Sequence, residues 1–234
     1  MIDVLYVVGN GSTWKNNELR YSIRSVVKHL KGVGNIVVSG TKPNWLDVKH
    51  VPGNDSGRTA QESVYLKLKK ALPELSEDFL FFNDDYFLLK SFQANKFPFF
   101  YKETLEEFIQ RRRTKDSYKN AVENTFKVLS DKNLPTLNFE NHAPMLINKT
   151  KFLEVMSQYP WPLFGFVLKS LYANTLKIKG TPDKDMKINY PQTVEEYKSM
   201  TSERKYFSTD KLLPTNLKEF LTITYPAKSK FEND

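Results

Sequence analysis

The chain contains no cysteine, which excludes disulfides, thiolate chemistry and any cysteine-built zinc site. No apolar run approaches the roughly 20 residues that span a bilayer. The first residues lack a basic region leading into a long apolar core, so an export signal is not expected and the cytoplasm is the expected compartment. Glycine, at nine positions, never falls in the spacing of a phosphate-binding P-loop or a dinucleotide fingerprint. Internal repeats and low-complexity segments are also missing. What remains is the composition of an ordinary globular chain. Its 234 residues suffice for one substantial core, and a separate second domain would be small. Lysine and arginine exceed the acids by eight. That favours polyanionic partners: nucleotides, nucleic acid, acidic polymers or an anionic surface. Basic clusters lie at Lys67–Lys70, Arg111–Lys115 and Lys177–Lys187.

The stretch with most chemical content is Phe79-Leu80-Phe81-Phe82-Asn83-Asp84-Asp85. Its apolar residues do not alternate with polar ones, so it reads as a fully buried strand. Asn83, Asp84 and Asp85 then fall at its C-terminal edge, where open α/β sheets place their ligands. Three oxygen-bearing side chains in a row suit a hard divalent cation, completed by phosphates and water. The same triplet is equally at home in a turn or helix cap.

Ile2 to Val8 reads as a buried first strand ending in Gly9-Asn10-Gly11-Ser12, a loop whose glycines let a ligand approach the backbone. Asn17 to Leu30 is amphipathic, with Leu19, Ile23, Val26, Val27 and Leu30 as its apolar stripe. Arg20 and Arg24 stand one turn apart and form a potential clamp for a diphosphate or carboxylate. Asn35 to Ser39 is a second strand. A helix from about Thr59 to Leu72 carries Glu62 near its start. Strand and helix alternate, predicting a mostly parallel sheet with helices on its faces. Beyond Leu89 the chain is richer in helix, and Phe97 to Tyr101 has the character of an edge strand or cleft lining.

Taken in order, several segments resemble the Stealth family of hexose-1-phosphate transferases: residues 2–12, Asn16-Asn17-Glu18-Leu19-Arg20-Tyr21-Ser22-Ile23-Arg24-Ser25, Pro43-Asn44-Trp45-Leu46, Gln61-Glu62-Ser63, Phe81-Phe82-Asn83-Asp84-Asp85 and His142-Ala143-Pro144. Leu171-Tyr172-Ala173-Asn174 extends the likeness weakly. The chain departs from the family at Lys15, where an acid is usual, and at Ser12-Thr13-Trp14, where an aspartate often follows the loop. These departures leave open whether sugar-1-phosphate or a plain glycosyl group is transferred.

The resemblance implies an α/β, GT-A-like (Rossmann-like) fold with a helix-rich C-terminal part. Residues 1–100 would form the nucleotide-sugar-binding core, and 101–234 a helical acceptor-side portion packed on it as one compact domain. It also implies a nucleotide-sugar donor and a hydroxyl acceptor. Asn83, Asp84 and Asp85 would hold Mg²⁺ or Mn²⁺. Gly9, Asn10, Gly11, Asn17, Arg20 and Arg24 would bind the donor. His142 would be the general base, since an imidazole ordinarily titrates near neutral pH, with Glu62 as the second candidate. The acceptor is open between a surface glycan and a hydroxymethylated pyrimidine in DNA, for which Phe97 to Tyr101 and Arg111 to Arg113 could grip the strand. A non-catalytic basic nucleic-acid-binding module is the contrasting expectation.

Overall fold

Side chains on a strand point alternately to opposite faces, and the first strand shows what that does to this chain. In β1 (Ile2–Val8), Val4, Tyr6 and Val8 enter one hydrophobic cluster while Leu5 and Val7 enter another. Such a strand is buried on both sides, which is why it reads as a continuous apolar run. The computed structural model describes residues 1–210 and 213–233. After β1 come α1 (Asn17–His29), β2 (Leu30–Lys31), β3 (Val33–Gly40), β4 (Lys49–Pro52), α2 (Ala60–Ala71), β5 (Asp78–Asn83), β6 (Tyr86–Leu88), β7 (Phe92–Gln93) and β8 (Phe100–Tyr101). The later part holds α3 (Leu105–Arg111), α4 (Ser117–Ser130), β9 (Met145–Asn148), α5 (Lys149–Ser157), α6 (Leu168–Thr175), β10 (Thr181–Pro182), β11 (Lys187–Ile188), α7 (Val194–Thr201), β12 (Tyr206–Thr209) and α8 (Thr215–Thr224).

The main sheet has the order β4-β3-β1-β5-β9. Its first four strands are parallel, and β9 closes the edge antiparallel to β5. The α/β class with a mainly parallel sheet is therefore as expected; β9, to which the sequence reading assigned nothing, is new. On one face of the sheet, Leu19, Ile23 and Val26 of α1 pack against Val4, Tyr6, Ile36, Val38, Leu80 and Phe82. On the other, α2, α4, α5 and α6 cover Leu5, Val7, Val37, Phe79 and Phe81. Burying an aromatic such as Phe79 or Phe82, each fully inaccessible, contributes about 1.5–3 kcal/mol relative to exposure. A third cluster joins β12, α7 and α8 around Phe87, Phe207 and Phe220. It rests on a small sheet, β11-β12-β6.

Two expectations need correcting here. Val27 does not join the α1 stripe; it is 50% exposed, because the helix turns it away from the sheet. Phe97 and Phe100 do not line a cleft. Both are core residues, with Phe97 against Phe92 and Phe100 against Tyr206. The basic cluster proposed to accompany them is partly neutralised, with Arg111 on Glu103 and Arg112 on Asp116. Among the described residues no helix is long and apolar enough to cross a membrane.

Candidate active site

A cleft of about 650 Å³ opens where β1 and β5 end, bounded also by the N-terminal turn of α2 and the end of β12. The parallel pairing that sets Val7 beside Asn83 brings the Gly9–Ser12 loop next to the acidic triplet. Gly9, Asn10, Gly11, Asn83, Asp84 and Asp85 all line this cleft. Asn83 ends β5, and Asp84 and Asp85 form the turn into β6. The turn reading of the triplet is thus met, and the turn sets all three side chains at the cleft. Gly11 has open space where a Cβ would stand, so nothing in the fold requires a glycine there.

Three further residues, none assigned to the site from the sequence, join the wall. Glu18, in the first turn of α1, is buried, and its Oε2 has no hydrogen-bond partner. Lys67, on α2, sends a buried ammonium to the Val8 carbonyl at 3.1 Å and to Asp55 Oδ1 at 2.5 Å. Asp55 in turn accepts the Asn10 N–H at 3.2 Å. The Lys67 hydrogen bond, more than that of Asn10, holds the Asp55 carboxyl below its ordinary range. Room for the lysine comes from Gly40, whose φ is +110° and where a Cβ would fall 2.0 Å from the Val8 oxygen. Only glycine tolerates both conditions.

The cleft is strongly acidic. Glu18, Asp55, Asp84, Asp85 and Asp210 line it together with Arg58 and Lys67, and Lys187 stands 3.6 Å from Asp210. Burial, then the neighbouring Asp85 and Glu18 charges, push the Asp84 carboxyl well up. Burial also pushes Asp85 up, opposed by the charges of His142 and Lys187. Both side chains are half-buried by surface accessibility, so water in the open cleft moderates each shift. A hard divalent cation fits this donor set. The oxygens are carboxylates and an amide, one Glu18 oxygen is orphaned, and the charge excess calls for a cation. Among the described residues no group of three metal-ligating side chains is already assembled.

His142 lies outside the lining of the cleft, edge-on to the Tyr86 ring with centroids 6.3 Å apart. Its Nδ1 is 2.7 Å from Asp185 Oδ2, and its backbone N–H donates to Oδ1 at 2.8 Å. Burial pushes the Asp185 carboxyl up, but the His142 hydrogen bonds and charge, with Lys102, outweigh it and hold the group well below the usual carboxylate range. An ionised Asp185 on Nδ1 fixes the ring, and in a neutral imidazole it favours the tautomer whose Nε2 is the acceptor. No sequence spacing links positions 142 and 185, so Asp185 was invisible before the fold was known.

Arg20, Arg24, Asn17 and Glu62 do not line the cleft. The two arginines form the carboxylate clamp their spacing suggested, but around the chain's own Glu232: Arg20 Nη1 donates to Oε2 at 2.6 Å, and Arg24 Nε and Nη2 donate at 2.8 Å. Asn17 binds the Trp14 carbonyl and accepts from Arg20. Glu62 accepts the Arg58 backbone N–H at 2.6 Å and its guanidinium at 3.0 Å. Those bonds hold the Glu62 carboxyl below its ordinary range, and a carboxylate so held is a poor general base.

No family model matches the chain. Curated proteins do. The chain is 27% identical to a capsular polysaccharide phosphotransferase of Neisseria meningitidis serogroup B, over 74% of this chain and 51% of that protein. It is 28% identical to capsular polysaccharide phosphotransferase cps12A of Actinobacillus pleuropneumoniae, over 57% of this chain and 37% of that one. The chain thus spans about half the length of these relatives, or less. They bear out the resemblance to sugar-phosphate transferases carried by its motifs. Among solved structures it is similar to the galactosyltransferase LgtC in complex with donor and acceptor sugar analogues, at 12% identity and a TM-score of 0.49, over 98% of this chain and 97% of that one. That is a distant likeness in chain course and identifies no residues.

Proposed function

We propose that the cleft binds the diphosphate of a nucleotide-activated sugar together with a divalent cation, and that the chain transfers sugar-1-phosphate to a hydroxyl of a glycan acceptor. The observation that carries this reading is the acid-rich cleft itself, with Glu18, Asp84 and Asp85 beside the Gly9–Ser12 loop. A diphosphate could not enter such a site without a compensating cation. The names of the relatives point the same way. Residues 1–100, with the end of β12, would serve the donor, and the remainder of 101–234 the acceptor.

Asp84 and Asp85, with Asn83 and Glu18 in support, would hold the ion. When bound, Mg²⁺ or Mn²⁺ neutralises charge on the diphosphate oxygens. Lys67 and the Asn10 N–H are both held by Asp55, which fixes the Gly9–Ser12 loop against the base of the cleft. His142, held by Asp185, takes the proton from the acceptor hydroxyl through Nε2. The acceptor oxygen forms a bond to the sugar-bearing phosphorus, the bond from that phosphorus to the oxygen bridging it to the nucleoside phosphate breaks, and a nucleoside monophosphate leaves. Plain glycosyl transfer would instead release a nucleoside diphosphate, so the released nucleotide distinguishes the two. A glycan is favoured over DNA because the aromatic residues at 97 and 100 are buried in the core.

The test is a thermal-shift screen of nucleoside diphosphates and nucleotide sugars with and without Mn²⁺. A ligand at one hundred times its dissociation constant adds about 2.7 kcal/mol, or about 5–10 °C for a chain of this size. A metal-dependent shift lost in Asp85→Ala supports the reading. No shift with any nucleotide overturns it.

A further inference from the structure

Residues 138–144, which carry His142, belong to no helix or strand, yet Asn138, Phe139, Asn141 and Ala143 are buried. A buried loop must find partners for its backbone polar groups outside itself. Here one short helix supplies several of them. Along α6, Asn174 accepts the Leu137 N–H at 3.0 Å and donates to the Leu137 carbonyl at 2.8 Å. Ser170 Oγ accepts the Phe139 N–H at 3.0 Å, and the Ser170 N–H and hydroxyl both donate to the Glu140 carboxylate. Lys169 completes the series, donating to the Asn141 carbonyl at 2.6 Å and the Ala143 carbonyl at 3.2 Å.

Those last two carbonyls bracket His142. The Asn141 carbonyl also accepts the Ala143 N–H at 2.8 Å, closing a three-residue turn with His142 at its centre. Lys169 is 3% exposed. Burial pushes its ammonium down, opposed by the charges of Glu140 and Asp185. Two of its three N–H groups are committed to the turn, and the Tyr86 ring stands 5.5 Å from the ammonium. Lys102 adds a second tie, donating to the Glu140 carbonyl at 3.1 Å and to Asp185 at 3.3 Å. Asp185 thus holds the ring and the N–H of His142, while Lys169 holds the backbone on either side of it. A side chain that must meet a reacting proton needs both, because a ring fixed to a loose loop is not fixed in space.

We propose that Lys169 is a positioning residue for His142, acting through the carbonyls of Asn141 and Ala143 and not on the donor. The role of the ring as base rests on the function proposed above; its placement by Lys169 does not. Nitrogen-15 NMR of the imidazoles in the full chain tests the placement, with His142 identified among the three histidines by loss of its signals in His142→Gln. At a pH where the ring is neutral, the parent should show chiefly the Nδ1–H tautomer and Lys169→Met a mixture of the two, with His29 and His50 unchanged. Ethylammonium should restore the parental tautomer in Lys169→Ala, entering by the cavity of about 170 Å³ that Lys169 lines. In the parent itself, a slowly exchanging Lys169 ammonium signal with NOEs to the amides of the turn is expected. Absence of that signal overturns the proposal without recourse to any variant, and so does a parental tautomer in both Lys169 variants. Turnover gives a second arm, read as nucleotide released from a nucleotide sugar with Mn²⁺ and acceptor. Lys169→Met should slow it by at least about 10²-fold with donor KM within about twofold, and should cost nothing further in a His142→Gln background. Additive losses, or a donor KM raised at least about tenfold with the tautomer unchanged, would put Lys169 on the donor and overturn the proposal. Parental turnover in His142→Gln would instead be a failure of the base assignment, with the tautomer still deciding the role of Lys169.

Discussion

Replacing Glu232 separates the two uses to which Arg20 and Arg24 could be put. Its carboxylate is fully inaccessible while Arg20 and Arg24 are 22% and 12% exposed, and it also accepts the Ser229 N–H at 2.8 Å. Burial would raise its pKa, but the bonds from Arg24, Ser229 and Arg20 bring it down from 4.5 to about 2. At about 1.4 kcal/mol per unit that is about 3 kcal/mol of linked stability. The group is sealed yet close to the surface, so screening by nearby solvent reduces the figure to about 2 kcal/mol. The folded pKa is the lower one. The contribution is therefore complete above the unfolded pKa near 4.5 and is lost as pH falls towards about 2. Urea unfolding of the parent and Glu232→Gln across this range is the assay. The variant should be about 2 kcal/mol less stable at pH 7, and the gap should close on acidification. Arg24→Ala, which leaves the carboxylate short of a partner, should cost about 3 kcal/mol. It should leave Mn²⁺-dependent nucleotide affinity within about twofold, since no donor contact is removed. Unchanged stability in Glu232→Gln, or nucleotide binding lost in Arg24→Ala at unchanged stability, would refute the reasoning and return the arginines to the donor.

Other outcomes follow from the same geometry. Gly40→Ala combines a left-handed φ with a backbone clash and should destabilise by more than about 3 kcal/mol, seen as loss of the folded transition in urea. Gly11→Ala meets nothing, so its melting temperature should be unchanged while nucleotide-dependent shifts shrink; an unimpaired shift would show that no ligand passes close to Gly11. Asp185→Asn should lower turnover by about 10²–10⁴-fold, with donor KM little changed, because an amide no longer fixes the His142 tautomer. Near-parental turnover would remove His142 from the role of base.

Local signals carried the first half of the molecule. An apolar run without alternation identified β1 and β5 as strands buried on two faces, and the amphipathic stripe of α1 needed no tertiary information beyond the misplacement of Val27. The loop at Gly9–Gly11 and the triplet at Asn83–Asp85 were legible because each sits at the end of such a strand. Parallel pairing then obliges the two ends to lie side by side. Where the partner is remote in the chain, residue identity was silent. Two arginines one turn apart make a carboxylate clamp in any context, but only the folded C-terminal segment supplies Glu232, more than two hundred positions away. Asp185 reaches His142 across forty-three positions, and Lys67 reaches β1 from α2. In each case the sequence determined the chemistry a side chain can perform. Tertiary structure decided which opposite charge arrives first, and so which of these groups remain free to meet a substrate.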